Sequence, residues 1–261
     1  MALPRLADTL AGRIEILTLH PFTQGEMARV RGSARRTAWF RSYVETATER
    51  TVRDVAEISG LPDLRRLLAA LAYRSGSLVN AADLSRTLGL PQTTLKRYLA
   101  LLEIAFLLKR LPAWSANLTT RLVKTPKMYI TDSGLLAHLL AADAQRLRDE
   151  PALFGQVLEN FVVGEIDRQS TWSDLPVSLM HYRTHVGREV DLVLEDDRGR
   201  IVGIEVKATA SPAASDFKGL RSLADAAGDR FQRGVLLCLS DTAVPFGPRL
   251  QTLPASALWD G

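Results

Sequence analysis

The chain has 261 residues, of which 46% are hydrophobic and 24% charged. That composition excludes intrinsic disorder and leaves material for one large domain or two small ones. No apolar run reaches the ~18 residues of a membrane-spanning helix, no apolar segment near Met1 reads as a secretion signal, and the lone Cys238 allows neither an intrachain disulfide nor a cysteine zinc cluster; a cytoplasmic protein with no membrane partner is expected. The net charge of +4 hides an asymmetry. Residues 1–140 hold 20 Lys+Arg against 11 Asp+Glu, or +9, and residues 141–261 hold 13 against 18, or −5. A basic unit suited to a polyanion thus precedes an acidic one, although Arg-rich helices are also ordinary solvated surfaces.

In chain order, residues 15–20 read as a short strand ended by Pro21, and Thr23 with Glu26 as a capped helix start. No GxxxxGK[ST] loop occurs anywhere. Trp39, Tyr43 and Val44, then Val52, Val55 and Ile58, recur at helical spacing. Residues 61–71 form a second helix with Pro62 in its first turn. Residues 81–88, closed by Gly89, and 92–102 make a helix, a glycine turn and a helix, the helix-turn-helix pattern. The second of these opens with Gln92, Thr93, Thr94, Lys96 and Arg97, side chains able to reach phosphates and base edges.

Residues 106–111 and 127–130 read as strands, joined by a basic connection with Arg121, Lys124 and Lys127. This predicts a winged helix over residues 36–140, the connection being its wing. DNA is the expected partner, with a protein–protein spacer as the other use of such a unit. Thr131 and Asp132 cap a helix through Leu135 and Leu139.

Residues 145–261 predict a mixed sheet flanked by helices: a helix over 154–166, strands over 181–184, 189–195 and 201–207, a helix over 216–227 and a buried strand over 231–239. The segment GREVDLVLEDDRGRIVGIEVK, residues 187–207, is the most informative. Alternation sets Val190, Leu192 and Leu194 beside Val202, Ile204 and Val206 on a buried face. Glu189, Asp191 and Glu195, with Glu205 and Lys207, share the other. If Glu195 pairs with Ile201, Asp191 lies across from Glu205, and Glu189 from Lys207. Carboxylates ~5 Å apart repel unless a cation lies between them. Hard oxygen donors suit Mg²⁺ or Mn²⁺, and Lys207 reaches the same spot. A plain amphipathic hairpin with a wet face would carry the same charges.

Asp191 followed, after thirteen residues, by Glu205-Val206-Lys207 resembles the D…ExK core of the PD-(D/E)XK nuclease-like superfamily. Val190 stands where that pattern often has proline. The resemblance implies an upstream helix with a glutamate. Gly155-Gln-Val-Leu-Glu159 matches it, and Glu165, about 240° further round the helix, cannot share a ligand with Glu159. It further implies catalytic Asp191, Glu205, Lys207 and Glu159, and a divalent ion on Asp191, Glu205, Glu159 and the Val206 carbonyl.

The whole order of motifs resembles prokaryotic AAA-type ATPases with a C-terminal domain of unknown function. The supporting segments are 10–13 with 21–26, Tyr43-Val-Glu45, 127–135, 158–165, and Tyr182-Arg-Thr184 with 187–191. Residues 1–35 resemble the tail of the ATPase domain. The family's Walker motifs are missing, so no ATP binding is expected of this chain, which is either a shortened member or a piece of a longer protein. An ATPase subunit or a second copy of the chain are further expected partners. The expected function is metal-dependent phosphodiester hydrolysis with DNA held by the winged helix; the alternative is a non-catalytic DNA-binding or interaction module. His181 and His185 lie on a strand and turn and form no helical zinc pair. Ser133 and Ser240 lack a nucleophile motif, Arg35 and Arg36 read as a solvated helix start, and the four tryptophans show no stacking pattern.

Overall fold

A computed structural model of the chain describes residues 33–55 and 60–259. The strand at 15–20, the helix start at Thr23, the ATPase-like tail and Ile58 lie outside them. Helices dominate the first part of the chain and a mixed sheet the second.

The first part opens with α1 (Ser33–Val55) and α2 (Leu61–Ala72). Leu64, Leu67, Leu68 and Leu71 repeat at helical spacing and are fully buried, so one stripe of α2 carries the core. After β1 (Ser77–Leu78), the Asn80 side chain accepts the Ala82 and Asp83 N–H groups and starts α3 (Ala81–Leu88). Gly89, at φ 68°, closes α3 in the left-handed conformation. Then α4 (Gln92–Ile104) buries Leu95, Tyr98, Leu99 and Leu102. Phe106, at φ 54°, ends the turn after α4, so β2 is Leu108–Leu111 rather than starting at 106. β3 (Lys127–Ile130) pairs with β2 on one side and β1 on the other, all antiparallel.

The connection between β2 and β3 is not a free wing. Ala113 bridges His181, the Trp114 N–H donates to the His181 carbonyl at 2.6 Å, and His181 N–H donates to Pro112 O at 2.8 Å. Trp114 is 1% exposed. An apolar indole in the loop anchors it to the C-terminal sheet, and a short helix, α5 (Leu118–Val123), follows.

Asp132 caps α6 (Ser133–Leu139) through the Leu135 N–H, and α7 (Ala144–Asp149) leads to the long α8 (Pro151–Ser170). The sheet beneath comprises β4 (Val177–Arg183), β5 (Glu189–Asp196), β6 (Ile201–Val206), β7 (Phe231–Cys238), β8 (Val244–Gly247) and β9 (Leu250–Pro254). Its order is β4-β5-β6-β7-β9-β8, with β6–β7 and β7–β9 parallel and the other pairs antiparallel. On one face Leu158, Val162 and Val163 of α8 pack on Leu192, Ile204 and Val206. On the other, Leu220 and Leu223 of α9 (Lys218–Ala227) pack on Val190, Val193 and Ile201. Gly219 brings α9 against β5 itself, since a Cβ there would stand 1.8 Å from the Glu189 carbonyl oxygen.

Glu195 pairs with Ile201, as the turn predicts. One residue changes face. Tyr182 pairs with Val190 but Met180 with Val193, so β5 holds an extra residue opposite β4. This bulge turns Val190 toward α9 while Leu192 and Leu194 stay toward α8, instead of all three sharing a face. Asp191 lies within the bulge.

Candidate functional site

Four carboxylates gather where β5, β6, α8 and β3 meet. Regular pairing of β5 with β6 ends at Leu192–Ile204. One residue further, the Asp191 Oδ2 accepts the Val206 N–H at 3.0 Å, so a side chain replaces the backbone ladder. A strand residue's N–H and C=O point to the same side, so the Val206 carbonyl also faces Asp191. Lys207 Nζ lies 2.8 Å from Glu205 Oε1. Glu205 Oε2 is buried without a hydrogen-bond partner.

The centre of the group is Lys127. It is 1% exposed, and its Nζ lies 3.1 Å from Glu159 Oε1, 2.5 Å from Glu189 Oε1 and 3.1 Å from Asp191 Oδ1. Tyr129 Oη donates to the same Glu159 oxygen at 2.7 Å. Glu189 also pairs with Arg183 at 2.9 Å, not with Lys207. Gln156 and Asn160, either side of Glu159 on α8, bond the backbone at Ala72, Tyr73, Ser75 and Ile130, which fixes that face of the helix on the N-terminal unit. Gly76, at φ +81°, lets the chain pass over Glu159: a Cβ there would be 2.9 Å from Oε1. Glu165 pairs with Arg168.

Burial, and then Asp191, push the Glu205 carboxyl up to about 8 and the Glu159 carboxyl up to about 7; the neighbouring ammonium groups pull the other way. Burial alone would lower Lys127, but Asp191, Tyr129, Glu159 and Glu189 outweigh it and hold the ammonium well above its usual range. Lys207 is raised too, because Glu205 and Asp191 overcome its burial. Burial and Lys127 lower His181 to about 4. Its neutral ring donates from Nε2 to Thr125 O at 3.2 Å, which leaves Nδ1 buried and unpartnered. His181 is therefore a core residue, and His185 is exposed.

Asp191, Glu205, Lys207 and Glu159 therefore meet in one region. No group of three or more His, Cys, Asp or Glu side chains among the described residues is arranged to hold a metal ion. The donors that face a cation here are Glu205 Oε2, which has no hydrogen-bond partner, and the Asp191 carboxylate, whose Oδ1 lies on Lys127 and whose Oδ2 accepts the Val206 N–H; the Val206 carbonyl, on the same side of the strand, is a third. Mg²⁺ commonly takes only one or two carboxylates and completes its shell with water and phosphate, so these donors fit one such ion. Glu159 is held by Lys127 and Tyr129.

Gln92, Thr93, Lys96 and Arg97 are exposed at the start of α4, and Thr94 is half-buried. Arg121 is elsewhere: its guanidinium forks onto Glu195, Nη2 to Oε1 at 3.0 Å, and lies over the Trp114 ring. Lys124 donates to Arg183 O at 3.4 Å and, with Arg183 and His185, lines a cleft of about 710 Å³ that none of the four carboxylates lines; Arg183, paired with Glu189, links the two. Sequence patterning does not mark Lys127 and Tyr129 as site residues. The sequence signal for them is a lysine opening the otherwise apolar strand Lys127-Met-Tyr-Ile130; its burial shows only in the fold.

Fold and site define a two-part α/β protein whose helical unit inserts a lysine among the carboxylates at one end of two inner strands of a mixed sheet. Residues 26–146 match the model of one domain of unknown function, DUF8612, and residues 154–258 that of another, DUF4143. The uncharacterized proteins Mb2031c of Mycobacterium bovis and Rv2008c of Mycobacterium tuberculosis are each 30% identical to the chain over 226 residues. The match covers 80% of this chain and 50% of each relative, so the chain spans about half the length of the curated relatives it matches. No solved structure matches it. No helix among the described residues is long and apolar enough to cross a membrane.

Proposed function

We propose that the chain is a metal-dependent DNA-processing protein. Its C-terminal unit is a PD-(D/E)XK nuclease-like domain that hydrolyses phosphodiesters, and its N-terminal unit is a winged helix that binds DNA. The observation that carries the reading is Glu205: one oxygen rests on Lys207, and the other is buried, unpartnered and next to Asp191. A buried carboxylate oxygen without a partner is costly, and a cation relieves it.

Asp191, Glu205 and the Val206 carbonyl would hold the ion. When bound, it supplies an activated water and neutralises charge growing on the phosphate. Lys207 stays protonated, so it opposes phosphate charge as an ammonium and is not the base. Lys124 and Arg183 set positive charge along the cleft that Arg183 links to Glu189, where a phosphate backbone could lie. Gln92, Thr93, Lys96 and Arg97 offer the α4 terminus to a groove.

A second reading has its own observation. Lys127 already pairs with Glu159, Glu189 and Asp191, as in a purely structural ion-pair knot. On that reading the chain is a non-catalytic DNA-binding or protein-interaction module of an ATPase-related protein, with an ATPase subunit as its partner.

Plasmid and single-stranded DNA incubated with Mg²⁺ or Mn²⁺ separate the two. Cleavage by the wild type that is lost in EDTA, in Asp191→Ala and in Lys207→Ala supports hydrolysis. DNA binding without cleavage in either metal overturns it and leaves the second reading.

A further inference from the structure

Two acidic groups stand on either side of Asp191. Toward β6 is Glu205, whose Oε2 is buried without a hydrogen-bond partner. Toward α8 are Glu159 and Glu189, and here a cation is already present: the Lys127 ammonium. We propose that Lys127 is a built-in replacement for a second metal ion. The site then takes a single divalent ion, between Asp191 and Glu205, and Glu159 binds none. This inference rests on the hydrolytic reading above.

The geometry leaves little room for any other arrangement. An ammonium has three donors, and Lys127 has three carboxylate partners at 3.1, 2.5 and 3.1 Å. Two of these contacts, to Glu159 and Asp191, are hydrogen bonds and the third, to Glu189, is an ion pair. The ammonium already holds one oxygen of each carboxylate that a second ion would share, Glu159 Oε1 and Asp191 Oδ1. Mg²⁺ requires oxygens at about 2.0–2.1 Å, so an ion shared by Glu159 and Asp191 would fall against the ammonium and be repelled by it. Lys127 is also hard to withdraw. It sits on the middle strand of the N-terminal sheet, paired with Leu111 on one side and Leu78 on the other, and its side chain is buried. Tyr129, two residues on, projects from the same strand to the same Glu159 oxygen and turns that carboxylate inward. One strand of the helical unit thus supplies both groups that occupy the Glu159 side, so the acidic site is assembled from both units.

The test counts ions. Mn²⁺ is titrated into the full chain and bound metal is followed by the loss of the free-ion electron paramagnetic resonance signal, with circular dichroism as the check on folding. The expected result is one Mn²⁺ per chain in the wild type. Glu159→Gln should keep that ion with an affinity within about threefold, whereas Glu205→Gln, which removes a direct ligand, should weaken it by at least the roughly 10- to 100-fold that loss of an outer-shell partner costs. Lys127→Met should bind two. Two ions in the wild type, loss of the ion in Glu159→Gln, or a folded Lys127→Met that still binds one would each overturn the inference while the hydrolytic site stands. No binding by the wild type would overturn the hydrolytic site itself, and this inference with it. If Lys127→Met fails to fold, the Glu159→Gln titration alone decides.

Discussion

Lys127 Nζ lies 3.1 Å from Asp191 Oδ1 across 64 residues of sequence, joining the middle strand of the N-terminal sheet to the bulge in β5. Neither residue is more than a few per cent exposed. Removing one partner of a buried ion pair leaves an uncompensated charge, at a cost of about 3–5 kcal/mol. Lys127→Met in EDTA should therefore lose stability on that scale, read from the urea unfolding midpoint. Adding Asp191→Asn to it should recover part of the loss, since one of the stranded carboxylates is gone. A Lys127→Met protein as stable as the wild type would mean that the ion group contributes nothing to docking the two units.

Glu189 is positioned by contact as well as by charge. The α9 backbone passes so close to β5 at Gly219 that a Cβ there would meet the Glu189 carbonyl at 1.8 Å. Gly219→Ala must push α9 away from Val190 and Val193, and overpacking of this kind costs about 1–3 kcal/mol. The melting temperature should fall accordingly. Gly187→Ala makes a useful contrast: no atom lies within 4 Å of a Cβ there, and only its φ of 78° resists the change.

Features set by neighbouring residues are legible in the sequence. Asn80 and Gly89 bracket α3 because a side-chain acceptor is needed at one end and a left-handed residue at the other. The five-residue turn after Glu195 sets its pairing with Ile201, and hence the approach of Asp191 to Glu205. Features that depend on distant partners are not legible. The bulge that turns Val190 over exists only against β4. Lys127 gains meaning only beside Glu159 and Asp191. Arg121 has the sequence context of a basic wing residue, yet Glu195 lies 74 residues away and captures it. β8 and β9 escape strand patterning because Pro245, Gly247 and Pro254 interrupt it, and because polar Thr252 is the residue they bury.

Glu205 sets a pH dependence whose sign is fixed. Its carboxyl is raised to about 8 in the folded protein, by burial and Asp191, from an ordinary value near 4.5. Between those values the native state binds more protons than the unfolded state, so stability falls as pH rises. Glu205→Gln keeps the shape but not the charge. In EDTA it should be more stable than the wild type at pH 8, by on the order of 4 kcal/mol, and the difference should shrink toward zero at pH 4.5. Denaturant titrations at both pH values measure it. A Glu205→Gln protein less stable than the wild type at pH 8 would place the charged carboxylate in a favourable environment, contrary to its buried, unpartnered Oε2.

The basic side chains divide into two groups that salt should tell apart. Lys96 and Arg97 project from the exposed start of α4, whereas the Arg121 side chain is 16% exposed and tied to Glu195. If α4 meets DNA, Lys96→Ala should weaken binding to all sequences and reduce the slope of log affinity against log salt by about 1. Arg97→Ala should do the same. Arg121→Ala should leave that slope unchanged and instead lower stability by about 1–3 kcal/mol, because Glu195 loses its forked partner and keeps only Arg230, at 3.3 Å. Fluorescence anisotropy with a labelled duplex at several salt concentrations, beside thermal melts of the same proteins, reads both effects. An unchanged slope in Lys96→Ala and Arg97→Ala together would remove α4 from the DNA interface and leave the cleft lined by Lys124, Arg183 and His185 as the surface to test.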